Sequence, residues 1–99
     1  MIKYLEKDFE NELNNKKVLV DFYANWCGPC KMLSEVFEEV KDQIALDIVK
    51  IDVDKFPEIA SHYNVFSIPT IFLMENLKII RSHVGYLNPK ELLEFVNEK

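Results

Sequence analysis

Cysteine is scarce in this sequence: there are two, at positions 27 and 30. Two thiols cannot build the multiple cross-links of a small secreted scaffold, so the chain has to hold itself together by burial. Two Gly and four Pro exclude a collagen-like or low-complexity chain. No stretch reaches about 18 consecutive apolar residues, so nothing reads as a membrane-spanning helix. Cations are the minority, with twelve Lys and Arg against seventeen Asp and Glu and a net charge of -5. They are scattered, whereas nucleic acid needs a clustered basic face. The bland reading, a solvated acidic surface, is preferred. The N-terminus, Met1-Ile2-Lys3-Tyr4-Leu5-Glu6-Lys7-Asp8, lacks the apolar stretch of about 7–15 residues that a secretory leader needs. The expectation is a cytoplasmic protein with no membrane and no nucleic-acid partner. In that compartment thiols stay reduced, and paired cysteines are more often catalytic or metal-binding than structural.

What is present is ordinary globular material: 48% hydrophobic and 29% charged over 99 residues. That length suits a single domain, residues 1–99. Residues 1–4 suit a short strand. Leu5, Phe9 and Leu13 recur at the spacing of one helical face. Val18 to Tyr23 is an almost unbroken apolar, β-rich run, as expected of a central strand covered on both faces. A loop over 25–29 leads into a long helix whose buried stripe is Met32, Leu33, Val36, Phe37, Val40 and Ile44. Asp47 to Val53 suits a second central strand. Pro57 opens a short helix with Ile59, Ala60 and Tyr63. Thr70–Met74 and Ile79–Val84 form a hairpin whose turn lacks glycine, leaving Asn76 as the residue best able to take a positive φ. Asn88, Pro89 and Glu91 have the form of a capping box opening a last helix, with Leu92, Leu93 and Val96 inward. The order β-α-β-α-β-α-β-β-α predicts an α/β fold: a mixed sheet of four to five strands flanked by about four helices.

The chemistry is concentrated in Trp26-Cys27-Gly28-Pro29-Cys30, between a strand and a helix. At a helix N-terminus the unpaired N–H groups and the dipole favour an anion. Cys27 is thereby favoured as thiolate, the attacking form. Cys30, one turn further in, is the more buried thiol, and Pro29 stiffens the turn. Such a pair can attack a substrate disulfide through Cys27, and Cys30 can then resolve the mixed disulfide, leaving Cys27–Cys30 oxidised. Two other readings stand beside this one. A zinc site needs about four ligands, and His62 and His83 lie far from the pair in sequence. An inert pair of buried thiols is the other.

Val20-Asp21-Phe22-Tyr23-Ala24-Asn25-Trp26-Cys27-Gly28-Pro29-Cys30-Lys31-Met32 resembles the active-site signature of the thioredoxin family. Ser67-Ile68-Pro69-Thr70 resembles its cis-proline loop, and Val84-Gly85 its glycine site beyond the hairpin. The resemblance spans essentially the whole chain. It implies the thioredoxin fold, with Cys27 as nucleophile and Cys30 as resolving thiol. It implies that Asp21 is a buried carboxyl that moves a proton at Cys30, its ionised form disfavoured by desolvation. A solvated acid at the strand end is the plainer reading of Asp21. Lys50 matches the lysine facing that carboxyl, although a lysine snorkelling to the surface fits the spacing as well. The resemblance also implies a cis bond before Pro69, whose ring discourages metal capture. It implies a docking surface from Trp26, Gly28, Pro29, Ile68 and Gly85, with Ile68 backbone pairing to the substrate chain. Tyr23, Glu35 and Leu77 depart from the family pattern, standing where tryptophan, a helix-kinking proline and a turn glycine are common. His62 and His83 receive no role.

The implied activity is general protein-disulfide reduction with no bound cofactor and no metal. Electrons would come from a thioredoxin reductase, drawing on NADPH or another electron donor, and pass to clients such as ribonucleotide reductase, peroxiredoxin and methionine sulfoxide reductase. A monomer is the expectation. An oxidase or isomerase, and a binding module using the fold as a scaffold, are the competing readings. The Gly-Pro between the cysteines and the missing leader count against the first, and an intact dithiol against the second.

Overall fold

The computed structural model describes residues 1–97; the last two residues of the expected 1–99 domain lie outside them. The elements run β1 (Ile2–Tyr4), α1 (Phe9–Leu13), β2 (Lys17–Tyr23), α2 (Gly28–Val40), a 3₁₀ turn (Lys41–Gln43), β3 (Asp47–Asp52), α3 (Pro57–His62), β4 (Thr70–Glu75), β5 (Lys78–Val84) and α4 (Pro89–Asn97). The strands form one sheet in the order β1-β3-β2-β4-β5. β1 and β2 flank β3 in parallel. β4 runs antiparallel to β2, and β5 to β4. The mixed sheet and its sequence order are as expected.

Alternation along β2 and β3 sends side chains to two different cores. Leu19 and Ile48 pack under α2 and α4 with Leu33, Val36, Phe37, Leu92 and Phe95. Val18, Val20, Phe22, Val49 and Ile51 pack on the opposite face with Phe9, Leu13 and Ala60. Both faces of the central strands are therefore covered, and their near-continuous apolar runs follow from that. On the α2 side the outer places of this alternation are held by Asp21 and Lys50, paired in register across β2 and β3.

Three local expectations are corrected. Met32 is not core: it is 55% exposed, because it lies off the stripe that Leu33, Val36, Phe37 and Val40 turn toward the sheet. Ile44 is buried but lies beyond α2, which ends at Val40 and gives way to the 3₁₀ turn. The helix begins at Gly28, not after Pro29, since Cys27 caps it. In the β4–β5 turn Asn76 takes the positive φ expected of it (51°), and Leu77 follows it into the left-handed conformation (φ 68°). A two-residue hairpin needs two such residues in succession to match the strand twist, so Leu77 accepts a conformation unfavourable to a side chain. Phe95, absent from the expected inward face of α4, is buried beside Leu92. The capping box is present in full. Asn88 Oδ1 accepts from Glu91 N–H at 2.8 Å, and Glu91 Oε1 accepts from Asn88 N–H at 3.0 Å.

Candidate active site

The end of β2 delivers the chain to the N-terminus of α2, and Cys27 occupies the cap. Its Sγ accepts a hydrogen bond from Cys30 N–H at 3.2 Å. Its carbonyl accepts from Lys31 N–H at 3.2 Å. Extended backbone at Cys27 (φ -90°, ψ 114°) and Pro29 within the first turn suit such a cap. The two cysteines are joined as a disulfide, with Cα atoms 5.2 Å apart. Both are buried, Cys27 slightly less so. They pack with Ala24 against Tyr23, Val53 and Ile68.

Opposite the pair lies the 66–69 loop. The Ile68–Pro69 peptide is cis, and the Ile68 carbonyl oxygen is 3.8 Å from Cys27 Sγ. Pro69 O accepts from Gly85 N–H at 2.8 Å, tying the glycine beyond β5 to this loop. Gly85 has φ 106°, a conformation that side chains rarely adopt. Trp26 stands 70% exposed beside the cysteines. Its indole N–H donates to Asp54 Oδ2 at 2.8 Å. Asp54 was not legible as a site neighbour, being 28 residues away in the turn after β3.

Behind the disulfide, Asp21 is fully buried. Among the described residues neither carboxyl oxygen has a hydrogen-bond partner. The plainer reading as a solvated strand-end acid is overturned, because β2 is covered on both faces at this position. Lys50 is buried too, which overturns the snorkelling alternative. Its Nζ lies 3.8 Å from Asp21 Oδ2, too long for a hydrogen bond, so the pair interacts through charge. Nζ donates instead to Ser34 Oγ at 2.7 Å. It also sits over the rings of Tyr23 and Tyr4, at 4.9 and 5.8 Å from their centroids. Desolvation pushes the Asp21 carboxyl up to about 7, with the Lys50 charge acting in the opposite direction. Tyr4, Tyr23, Cys30, Lys31, Ser34 and Lys50 line a cleft of about 150 Å³ that opens to solvent behind the cysteines. Ser34 and Tyr4 were missed by sequence reasoning: a serine on a half-buried helix position and a tyrosine in a three-residue strand carry no signal of their own.

His62 packs edge-on against Tyr63, and His83 lies near the ring of Phe95. Among the described residues no three His, Cys, Asp or Glu side chains gather as a metal site, and no helix is long and apolar enough to cross a membrane.

A redox disulfide at a helix N-terminus, on this sheet and facing a cis-proline loop, defines a thiol–disulfide oxidoreductase. The comparisons are specific within that class. The family model for thioredoxin matches residues 1–98. A thioredoxin of Mycoplasmoides gallisepticum is 48% identical over 83 residues, 83% of this chain and 83% of that protein. The thioredoxin of Bacillus subtilis is 40% identical over 100 residues, 99% of this chain and 96% of that protein. Among solved structures, reduced thioredoxin of Schistosoma mansoni superimposes with a TM-score of 0.85 at 31% identity, covering 98% of this chain and 96% of that one. A mutant thioredoxin of Halobacterium salinarum gives 0.84 at 35% identity, covering 96% and 87%. The chain belongs to the thioredoxin family. It is a protein disulfide oxidoreductase, and its family implies exchange with disulfide-bearing clients and with a thioredoxin reductase.

Proposed function

We propose that this single thioredoxin domain works as a general reductant of protein disulfides in the cytoplasm, with a division of labour among the residues placed above. In the reduced protein the Cys27 thiolate attacks one sulfur of a client disulfide. A Cys27–client disulfide forms as the client S–S bond breaks, and the other client sulfur leaves as a thiolate. Cys30 gives up its proton and attacks Cys27 Sγ, releasing the second client thiolate and leaving the Cys27–Cys30 disulfide. The two electrons of the former dithiol now reside on the client.

The capping position of Cys27 carries this reading. The Cys30 N–H of the first turn donates to the Cys27 sulfur at 3.2 Å and, with the helix dipole, stabilises negative charge there. Asp21 is the group that exchanges the proton of Cys30, with a carboxyl that titrates near neutrality because it is buried. Lys50 sets the field around it. Trp26, Gly28, Pro29, Ile68 and Gly85 form the surface on which the client lies, with the buried Pro69 directly after Ile68 in that loop. Ile68 presents backbone beside Cys27, where an extended client segment can pair with it. The Asp54 bond fixes the Trp26 indole at the rim. Recycling falls to a thioredoxin reductase drawing on NADPH. Ribonucleotide reductase, peroxiredoxin and methionine sulfoxide reductase are clients of the appropriate chemistry, each ending turnover with a disulfide. The protein acts as a monomer.

The equilibrium potential of the Cys27/Cys30 couple tests this. Dithiothreitol and glutathione buffers would be used, with thiol trapping as the readout. A value near that of thioredoxins, about -270 mV, is expected. A value above about -200 mV would place the protein among oxidants and isomerases instead.

A further inference from the structure

The ammonium of Lys50 has two oxygen acceptors within reach of a small movement, and it is bonded to the neutral one. Ser34 Oγ is 2.7 Å away, while the nearer Asp21 oxygen is at 3.8 Å. Each site alone is unremarkable; together they describe a competition. A buried carboxylate and a buried ammonium in contact normally close to a charge-assisted bond, which is shorter and stronger than a neutral one. Here both carboxyl oxygens stay unpartnered among the described residues. Ser34 is one helical turn after Cys30, on the face of α2 that looks across the cleft at β3.

We propose that Ser34 is a positioning residue: its hydroxyl, with the Tyr4 and Tyr23 ring faces, holds the Lys50 ammonium off the Asp21 carboxyl, so that the carboxyl stays free to take up and give back a proton. The groups facing Asp21 are few. Tyr23 shares its strand and Lys50 is its register partner on β3, while Cys30, Lys31 and Ser34 line the cleft around Lys50 from α2. Tyr4 comes from β1, and Asp52 acts on Tyr23 from the end of β3. The β4 register partner is Ile71, which carries no charge. Lys50 is thus the near cation whose position can tune the carboxyl, and Ser34 is what its ammonium is bonded to. Removing the hydroxyl takes away the hydrogen bond that holds the ammonium at Ser34 and leaves the Asp21 carboxyl at 3.8 Å. The ammonium closes onto it, and the carboxylate form gains a hydrogen bond that it lacks in the parent.

The consequence for turnover rests on the reading of Asp21 as the proton-exchanging group, but the test does not. The Asp21 carboxyl would be titrated directly by carbon-13 NMR in the oxidised full-length protein, as parent, Ser34→Ala and Ser34→Thr. A second pair would compare Lys50→Met with Lys50→Met/Ser34→Ala. Ser34→Ala should lower the titration midpoint by about one pH unit or more. Ser34→Thr, which keeps the hydroxyl, should stay within about 0.3 units of the parent. In the Lys50→Met background, removing the Ser34 hydroxyl should move nothing. An unmoved midpoint in Ser34→Ala would overturn the proposal, and so would a rise, which would mean that Ser34 draws the lysine in. An equal shift in both backgrounds would make Ser34 a packing residue and also refute it. A correct midpoint shift with unaltered turnover across pH would leave Ser34 as positioned here and remove the proton role from Asp21.

Discussion

Replacing Asp21 by Asn should stabilise the oxidised protein at neutral and alkaline pH and do little in acid. Asp21 is fully buried, its oxygens lack hydrogen-bond partners among the described residues, and its carboxyl titrates at about 7 in place of the ordinary 3.8. Below pH 3.8 the folded and unfolded chains both hold this proton, and the group contributes nothing to the pH dependence. As pH rises through 3.8 the unfolded chain ionises while the folded one keeps its proton up to about 7. Over that window the native state binds more protons, so stability falls as pH rises. Above about 7 the loss is complete. A separation of about 3 units at about 1.36 kcal/mol each amounts to about 4 kcal/mol. This is the reverse of a salt-bridged aspartate, whose depressed pKa adds stability above its titration range. Asn keeps the shape and polarity of the protonated acid and cannot ionise. Urea unfolding followed by far-ultraviolet circular dichroism, on oxidised parent and Asp21→Asn at pH 4 and pH 8.5, isolates the effect, because the other titrating groups are common to both. The stability difference should grow by about 4 kcal/mol between the two pH values. An equal difference at both would refute the claim that the cost of Asp21 is the cost of burying its charge.

The same variant should reduce a disulfide-bearing protein substrate about tenfold or more slowly at pH 7, and its rate profile should lose the inflection near neutrality; a parental profile would remove Asp21 from proton exchange. Leu33→Ala should cost about 2–5 kcal/mol by leaving a cavity under the sheet, while Met32→Ala, at an exposed position, should stay within about 0.5 kcal/mol. Parallel thermal and urea melts would separate them, and equal losses would return Met32 to the core. Asn88→Ala should destabilise the fold by about 1 kcal/mol through loss of the reciprocal cap of α4. A melt unchanged from the parent would show that α4 is held by Leu92 and Phe95 alone.

Local chemistry made much of this protein legible from its residues in order. The strand–loop–helix context of Cys27 and Cys30 is a contiguous pattern, and a capping position needs only neighbours. The same holds for Asn88 and Glu91, which bond each other across three residues. Long apolar runs in β2 and β3 announced strands covered on both faces, because only such strands can afford no polar alternation. Periodicity failed at Met32, where a single apolar residue beside a stripe looks like part of it until the rotation of the helix against the sheet is known. Asn76 was legible as a positive-φ residue and Leu77 beside it was not, because the turn's twist is imposed by the paired strands and not by the residue.

What the tertiary structure alone decided is the environment behind the disulfide. The sequence places Asp21 and Lys50 some thirty residues apart, each with a plausible solvated reading. Parallel register between β2 and β3 sets them side by side, and α2 closes over both. Burial then determines the titration of the carboxyl, and a serine on the helix determines where the ammonium rests. Asp54 reaches Trp26 in the same way, through the packing of one turn against another. A residue's type and neighbours settle which reaction it can take part in. Its protonation and reach depend on dielectric and distance, and those exist only once the chain has folded.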